Sequence, residues 1–402
     1  MKGIVFSFII FFLAVTVIAL LLLQRSLISS RLEEIFVEER ITSMNSLHES
    51  IVRDLGKVTE IIMRRAIVVA ASHVISEGSG LDNATLRLEE LVLNGTLNQT
   101  PESLMENSTL SDWIKKMESV SIIKGFYSNL TLLDLEIKPY DSWNLLVRIN
   151  LSINITDKQG VASLTRNETI DTLVFLEGLE DPLSPLNTEG RVTNTIRKSP
   201  FDGNFTQLLL IGNGGNGWAY ANVTNNIANK NGKILVVHNA SEVDLSGVKG
   251  VISETDILIP ITVPYVVNSS ALSLIPSNIN LLLDGDNGKV WFIDNFKKHV
   301  ENSYYYSSNN GPSFLDRLEG NLTCNYCSLT PNIIGLESFV NKKELISLGL
   351  PIVENKTNID YLYFSESFVS GEKVKGITDD FNYFRIDSSH QPIYGVEFII
   401  ES

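Results

Sequence analysis

The stretch that most limits how this chain can fold is IVFSFIIFFLAVTVIALLLL, residues 4–23, a run of 20 residues without a charge. At about 1.5 Å per residue, a helix of that length reaches roughly 30 Å, the thickness of a bilayer's hydrocarbon core. Such a helix has no polar side to turn toward water, so residues 1–25 are read as a transmembrane anchor. The apolar region of a cleaved secretory signal is shorter, about 7 to 15 residues, and ends at a small-x-small site. Here LLLLQRSLISS follows, which favours an anchor that is kept.

Lys2 lies on one side of the run and Arg25 and Arg31 on the other, so positive charge orients it weakly. Glycosylation sequons orient it better. Asn-X-Ser/Thr occurs at Asn83, Asn94, Asn98, Asn107, Asn129, Asn150, Asn154, Asn167, Asn204, Asn222, Asn239, Asn268, Asn321 and Asn355, and at none before Asn83. That pattern predicts a single-pass protein of the cell membrane whose C-terminal portion is an extracellular glycoprotein. The formal net charge of −15 and the lack of any basic tract remove the electrostatic footprint of a nucleic-acid binder. Membrane lipid around the first helix is the expected partner, and no motif calls for a cofactor or a metal.

The expected fold class is α+β. Residues 26–125 read as helical: Ile51, Leu55, Val58, Ile62, Ala66 and Val69 recur in steps of three and four, extending the anchor as a long amphipathic helix. Gly78 and Gly80 in SEGSG supply its stop. Its stripe of Ile51, Leu55, Val58 and Ile62 is a surface for the chain's own globular part or for a helical partner. Two shorter helices follow, at 85–93 and at 112–123 with Ser111 as cap.

In residues 126–190 the period becomes two. Leu145, Val147, Ile149, Leu151, Ile153 and Ile155 alternate with Arg148, Asn150, Ser152, Asn154 and Thr156, the mark of a strand with one buried and one wet face. With LTLLDLEI before it and ETIDTLVFLEGL after it, this makes an antiparallel β-meander, closed by EDPLSPLNTEG as a linker. Residues 191–305 are expected to form an α/β, Rossmann-like open sheet, and 306–402 a mixed, β-rich C-terminal region.

The order of basic leader, apolar helix, amphipathic extension and meander resembles archaeal type IV pilin-like surface proteins, over about the first 180 residues. MKG followed by IVFSF is similar to their leader. The resemblance implies processing between Gly3 and Ile4 by a prepilin peptidase. Major pilins commonly carry glutamine at the first mature position and glutamate at the fifth; here those places hold Ile4 and Phe8. The resemblance therefore implies a minor or accessory component rather than a self-polymerising subunit.

QLLLIGNGGNGW places Gly212, Gly214 and Gly217 at the spacing of a dinucleotide fingerprint. The place that needs an acidic residue to hold the ribose has His238 and Asn239, so a tight strand-to-helix turn before a helix at 218–228 is expected instead. Asp284 and Asp286 in DGDNG begin like a calcium loop, but Lys289 and Asn295 stand where it needs glycine and glutamate. The five histidines, His48, His73, His238, His299 and His390, form no H-E-x-x-H pair. Arg317, between Asp316 and Glu319, reads as an exposed ion pair. Cys324 and Cys327 in NLTCNYCSLTP lack a second pair for a metal and read as a local disulfide of an oxidising exterior.

Two function classes follow: a non-enzymatic surface or binding glycoprotein, pilin-like or pilus-accessory, and an anchored extracytoplasmic enzyme or ligand sensor with its site at 207–284.

Overall fold

Helix α1 runs unbroken through Lys2–Glu77, 76 residues, with Gly3 and Ile4 inside its first turn. In this computed structural model the described residues are 2–201, 203–208, 218–221, 234–237, 250–253, 265–267, 281–284, 289–374, 377, 384–397 and 399–401. They form an α+β chain of helices and several small sheets. Two units partition it: residues 1–67, 85–138 and 146–174, and residues 68–84, 139–145 and 175–402.

In the first unit, α1 changes character along its length. Its apolar side chains from Ile10 to Leu23 are exposed around the helix, Val15 at 45% and Leu20 at 65% among them. Among the described residues no helix is long and apolar enough to cross a membrane; within residues 2–9 only the Phe6 side chain is described. From Met44 the helix acquires a buried stripe: Leu47, Ile51, Leu55, Ile62 and Met63. Gly56 faces β5, where a Cβ would meet Ile170 and Thr172 at 3.9 Å. Ile51, Leu55 and Ile62 are thus buried in this chain and Val58 is half-buried, as the first of the two readings of that stripe, a surface for the chain's own globular part, expects.

Helix α2 (Ala84–Asn94) leads to a hairpin of β1 (Thr96–Leu97) and β2 (Thr100–Pro101). Asn98 and Gln99 at its tip both have positive φ, 51° and 66°, as a type I′ turn requires. Helix α3 (Leu110–Ile123) starts at Thr109, in a reciprocal capping box with Asp112; Ser111, read as its cap, instead donates to the Leu93 carbonyl. The meander is β3 (Phe126–Asp141), β4 (Asn144–Asp157) and β5 (Ser163–Phe175), ordered β3-β4-β5. Every odd residue of β4 from Leu145 to Ile155 is buried, as alternation predicts. Arg40 of α1 ties the start of the sheet to the helix: its Nη2 donates to the Gly125 carbonyl at 2.8 Å, its Nε to Asp157 at 2.8 Å, and its guanidinium lies 4.3 Å from the Phe126 ring centroid.

The second unit is a patchwork of short elements. Residues 180–190, read as a linker, carry structure: β6 (Glu180–Asp181) pairs with β7 (Asn194–Thr195), and α4 (Leu183–Asn187) buries Leu183, Ser184 and Pro185. β8 (Thr206–Leu208) pairs antiparallel with β14 (Lys289–Phe292), which also pairs with β13 (Leu281–Asp284). β9 (Trp218–Ala221), β10 (Ile234–Val237), β11 (Gly250–Ser253) and β12 (Tyr265–Val267) form a parallel sheet in that order. Residues 218–221, expected to open a helix, are strand, because a short apolar run carries no period that separates the two. The glycines of the supposed fingerprint lie outside the described residues, as do His238 and Asp286. The described elements flanking the glycines are two strands, not a strand and a helix.

Helix α5 is Ile293–Glu301, directly after β14. Beyond it lie β15 (Tyr306–Ser313), α6 (Phe314–Leu318), β16 (Gly335–Glu337), α7 (Lys342–Ser347), α8 (Asp360–Phe364), β17 (Glu372–Val374), β18 (Arg385–Ile386), α9 (Gln391–Tyr394) and β19 (Ile400–Glu401). Short helices interleave these strands, so the region is mixed. Phe205, Phe296, Phe339, Ile359, Phe384 and Tyr394 belong to its core.

Candidate functional site

The chemistry-bearing side chains of the second unit are gathered in its interior. Ser313 caps α6 in a capping box with Asp316, and this short, fixed turn turns Arg317 inward. Arg317 is completely buried. Its Nη1 reaches Asp181 Oδ2 at 2.6 Å and Asp360 Oδ2 at 2.9 Å, and its Nη2 donates to the Leu336 carbonyl. The Tyr305 hydroxyl donates to Asp181 Oδ2 at 2.7 Å. Two carboxylates thus share one guanidinium. Burial and then the Asp181 charge push Asp360 up to about 6 against the pull of Arg317.

One residue along β16 from Leu336 begins a second network. Glu337, Asp387 and His390 are all buried. His390 Nδ1 lies 2.8 and 2.9 Å from the two Asp387 oxygens, and its Nε2 lies 3.1 Å from the Tyr361 hydroxyl and 3.6 Å from Glu337 Oε2. Tyr394 donates to Glu337, Thr357 donates to Asp387 Oδ2 at 3.0 Å, and Ser389 donates to Asp387. Burial would pull His390 down, but the Asp387 contact and the Glu337 charge hold it at about 9. Asp387 is held below the usual carboxylate range: burial raises it, and bonds from His390 and Ser389 outweigh that.

The geometry around His390 is not that of a Ser-His-Asp triad. In a Ser-His-Asp triad the hydroxyl and the carboxylate occupy opposite ring nitrogens, leaving a neutral imidazole to take the hydroxyl proton. Here Ser389 Oγ, at 3.2 Å, and Asp387 both address Nδ1. Held at about 9, the imidazole carries its proton at neutral pH. What the two networks do is fix β16, α6, α8 and α9 in one mutual arrangement, the use of buried polar groups with the clearest physical basis.

Two more buried cations or bases stand nearby. His299 is fully buried with neither ring nitrogen hydrogen-bonded; it stacks on Tyr306 at 4.4 Å and meets the edge of Phe339 at 4.8 Å. Burial alone pushes it down to about 3. Lys342 is buried as well, with Nζ donating to the Glu354 and Lys356 carbonyls. Burial first, then the charges of Arg385 and Lys356, bring it down to about 7.

Of the residues singled out from sequence, Arg317, His299 and His390 belong to this interior. Arg317, read as exposed, is completely buried, because its partners come from distant segments. Cys324 and Cys327 lie at disulfide distance, with Cα atoms 5.5 Å apart. Asn83, Asn94, Asn98, Asn107, Asn129, Asn154, Asn167, Asn204 and Asn355 are exposed, Asn150 and Asn321 are half-buried, and Asn222, Asn239 and Asn268 lie outside the described residues. In the first unit, Asn94 and Asn107 line one cleft of about 590 Å³ together with Glu102, Met105 and Asp112. Among the described residues no group of His, Cys, Asp and Glu is arranged to hold a metal ion. The only sequence signal for the His390 network was Asp387 three residues before His390, a helical-turn spacing. No family model matches the chain, and neither a curated protein nor a solved structure matches it.

Proposed function

We propose that this chain is a membrane-anchored extracellular glycoprotein, a non-enzymatic surface or binding protein of the pilin-like or pilus-accessory kind. The observation that carries the reading is the change along α1. Apolar side chains from Ile10 to Leu23 are exposed on the helix, a patch far larger than a protein leaves to water without a partner. From Met44 the same helix is built into its own unit. Residues 10–23, the stretch whose side chains are described without a break, are short for a span, but the whole run of residues 4–23 reaches roughly 30 Å. No described sequon asparagine is buried, which suits glycans on the exterior portion. The buried, hydrogen-bonded state of His390 and Arg317 suits scaffolding better than catalysis.

Fractionation tests this. The full chain is expected in the membrane pellet after an alkaline wash and in solution only with detergent. A variant lacking residues 4–23 is expected in the soluble fraction. Release of the full chain by the alkaline wash would refute the anchor.

A second reading, a ligand sensor or enzyme on a Rossmann-like sheet at 207–284, is favoured by the parallel β9-β10-β11-β12 sheet. Open α/β sheets bind ligands where strand order reverses; the order of these four runs one way, so the first reading stands ahead.

A further inference from the structure

The sequons on the meander are not equivalent. Hydrogen bonds from Asp157 N to the Ala162 carbonyl and from Leu176 N to the Trp143 carbonyl set the β4–β5 register. It puts Asn150 opposite Thr169 and Asn167 opposite Ser152. Each sequon's asparagine therefore faces the other's hydroxyl residue across the exposed face. The contact is made on one side: Thr169 Oγ1 donates to Asn150 Oδ1 at 2.7 Å, while Asn150 Nδ2 points at Asp134 Oδ2, 3.4 Å away. Both ends of the Asn150 amide are engaged and the residue is half-buried. Asn321 is in the same position: half-buried, with Nδ2 donating to Glu319 Oε2 at 2.9 Å. That carboxylate also accepts from Ala84 N at 2.8 Å and the Tyr326 hydroxyl at 2.7 Å. Asn154, Asn167 and Asn355 are exposed, and their amides stand clear of such bonds.

We propose, resting on the glycoprotein reading above, that Asn154, Asn167 and Asn355 carry N-glycans while Asn150 and Asn321 stay bare because the fold uses their amides. In the transfer, the bond from Nδ2 to the sugar C1 forms as C1 parts from the phosphate of a phosphate-activated oligosaccharide donor. The phosphate leaves with the bonding pair, and Nδ2 gives up one proton. The product amide has one N–H instead of two and a sugar ring on the nitrogen. At Asn154, Asn167 and Asn355 that ring stands in solvent. At Asn150 it would displace Asp134, and at Asn321 it would displace a carboxylate that holds two other donors.

The test is glycopeptide mass spectrometry on the full chain from a glycosylating host. Sugar is expected on the peptides of Asn154, Asn167 and Asn355, with Asn150 and Asn321 recovered unmodified. Occupancy at Asn150 or Asn321 equal to that at Asn154 would overturn the assignment while leaving the glycoprotein reading intact. Sugar at none of the sites would overturn both. A structural readout separates the classes independently of sugar: in unglycosylated protein, Asn150→Ala is expected to lower the midpoint of thermal unfolding and Asn154→Ala to leave it unchanged. Equal midpoints would count against a structural role for the Asn150 amide.

Discussion

Arg317 and Asp181 meet at 2.6 Å across 136 residues of chain, both side chains shut off from solvent. Removing one partner of such a pair is costly because the other is left as an unpaired buried charge. Arg317→Ala is expected to destabilise the second unit by about 3–5 kcal/mol. Replacing Arg317, Asp181 and Asp360 together by apolar residues of similar size is expected to cost less than Arg317→Ala alone. Urea unfolding of the parent chain and these two variants measures this; a single substitution milder than the triple one would contradict it.

His299 predicts acid sensitivity. Its proton is bound at about 3 in the folded chain against about 6.5 unfolded. The stability tied to its neutral form is present above 6.5 and is lost as pH falls from 6.5 toward 3, by about 5 kcal/mol at the lower end. His299→Phe keeps the ring stacking and has no proton to bind, so its unfolding midpoint is expected to fall less steeply over that window. Parallel curves for the two proteins would refute the assignment.

His390 works at the other end of the scale. Held at about 9, it contributes stability that is present below about 6.5 and lost as pH rises through 9. Lys342, brought down to about 7, opposes it, since its unfavourable protonation is relieved as pH rises above 7. In Lys342→Met the loss of stability between pH 7 and 9 is therefore expected to be steeper than in the parent chain. Circular-dichroism melts at pH 7, 8 and 9 are sufficient, and a shallower loss in the variant would contradict the pairing of effects.

The end of α1 separates two uses of glycine. Gly78 has φ +67° and open space around a Cβ, whereas a Cβ on Gly80 would lie 2.2 Å from the Glu319 carbonyl oxygen. Gly78→Ala is expected to cost about 1 kcal/mol, the left-handed penalty. Gly80→Ala is expected to cost more, because backbone has to move. Denaturation midpoints in the reverse order would contradict this.

How much of this was legible depended on the distance over which each feature is made. The meander was: alternation from Leu145 to Ile155 needs only neighbouring residues, and all six apolar positions are buried. The α1 stripe was legible as a period, but which surface covers Ile51 and Leu55 was not, because the sheet that takes Gly56 starts some seventy residues later. Arg317 looked exposed among Asp316 and Glu319, since Asp181 and Asp360 are invisible from its own segment. Pro182 and Pro185 suggested a linker where Leu183 and Asp181 are buried, as proline also suits the first turn of a short helix. Trp218–Ala221 was misread because four apolar residues fit strand and helix alike.

Protease applied to intact cells tests the proposed single-pass topology most directly. The account predicts that the full-length chain disappears and that everything beyond about Arg31 is released as a large fragment bearing N-glycans, with the apolar helix left in the membrane. A large fragment fully protected until the membrane is broken, or released without sugar, would contradict it.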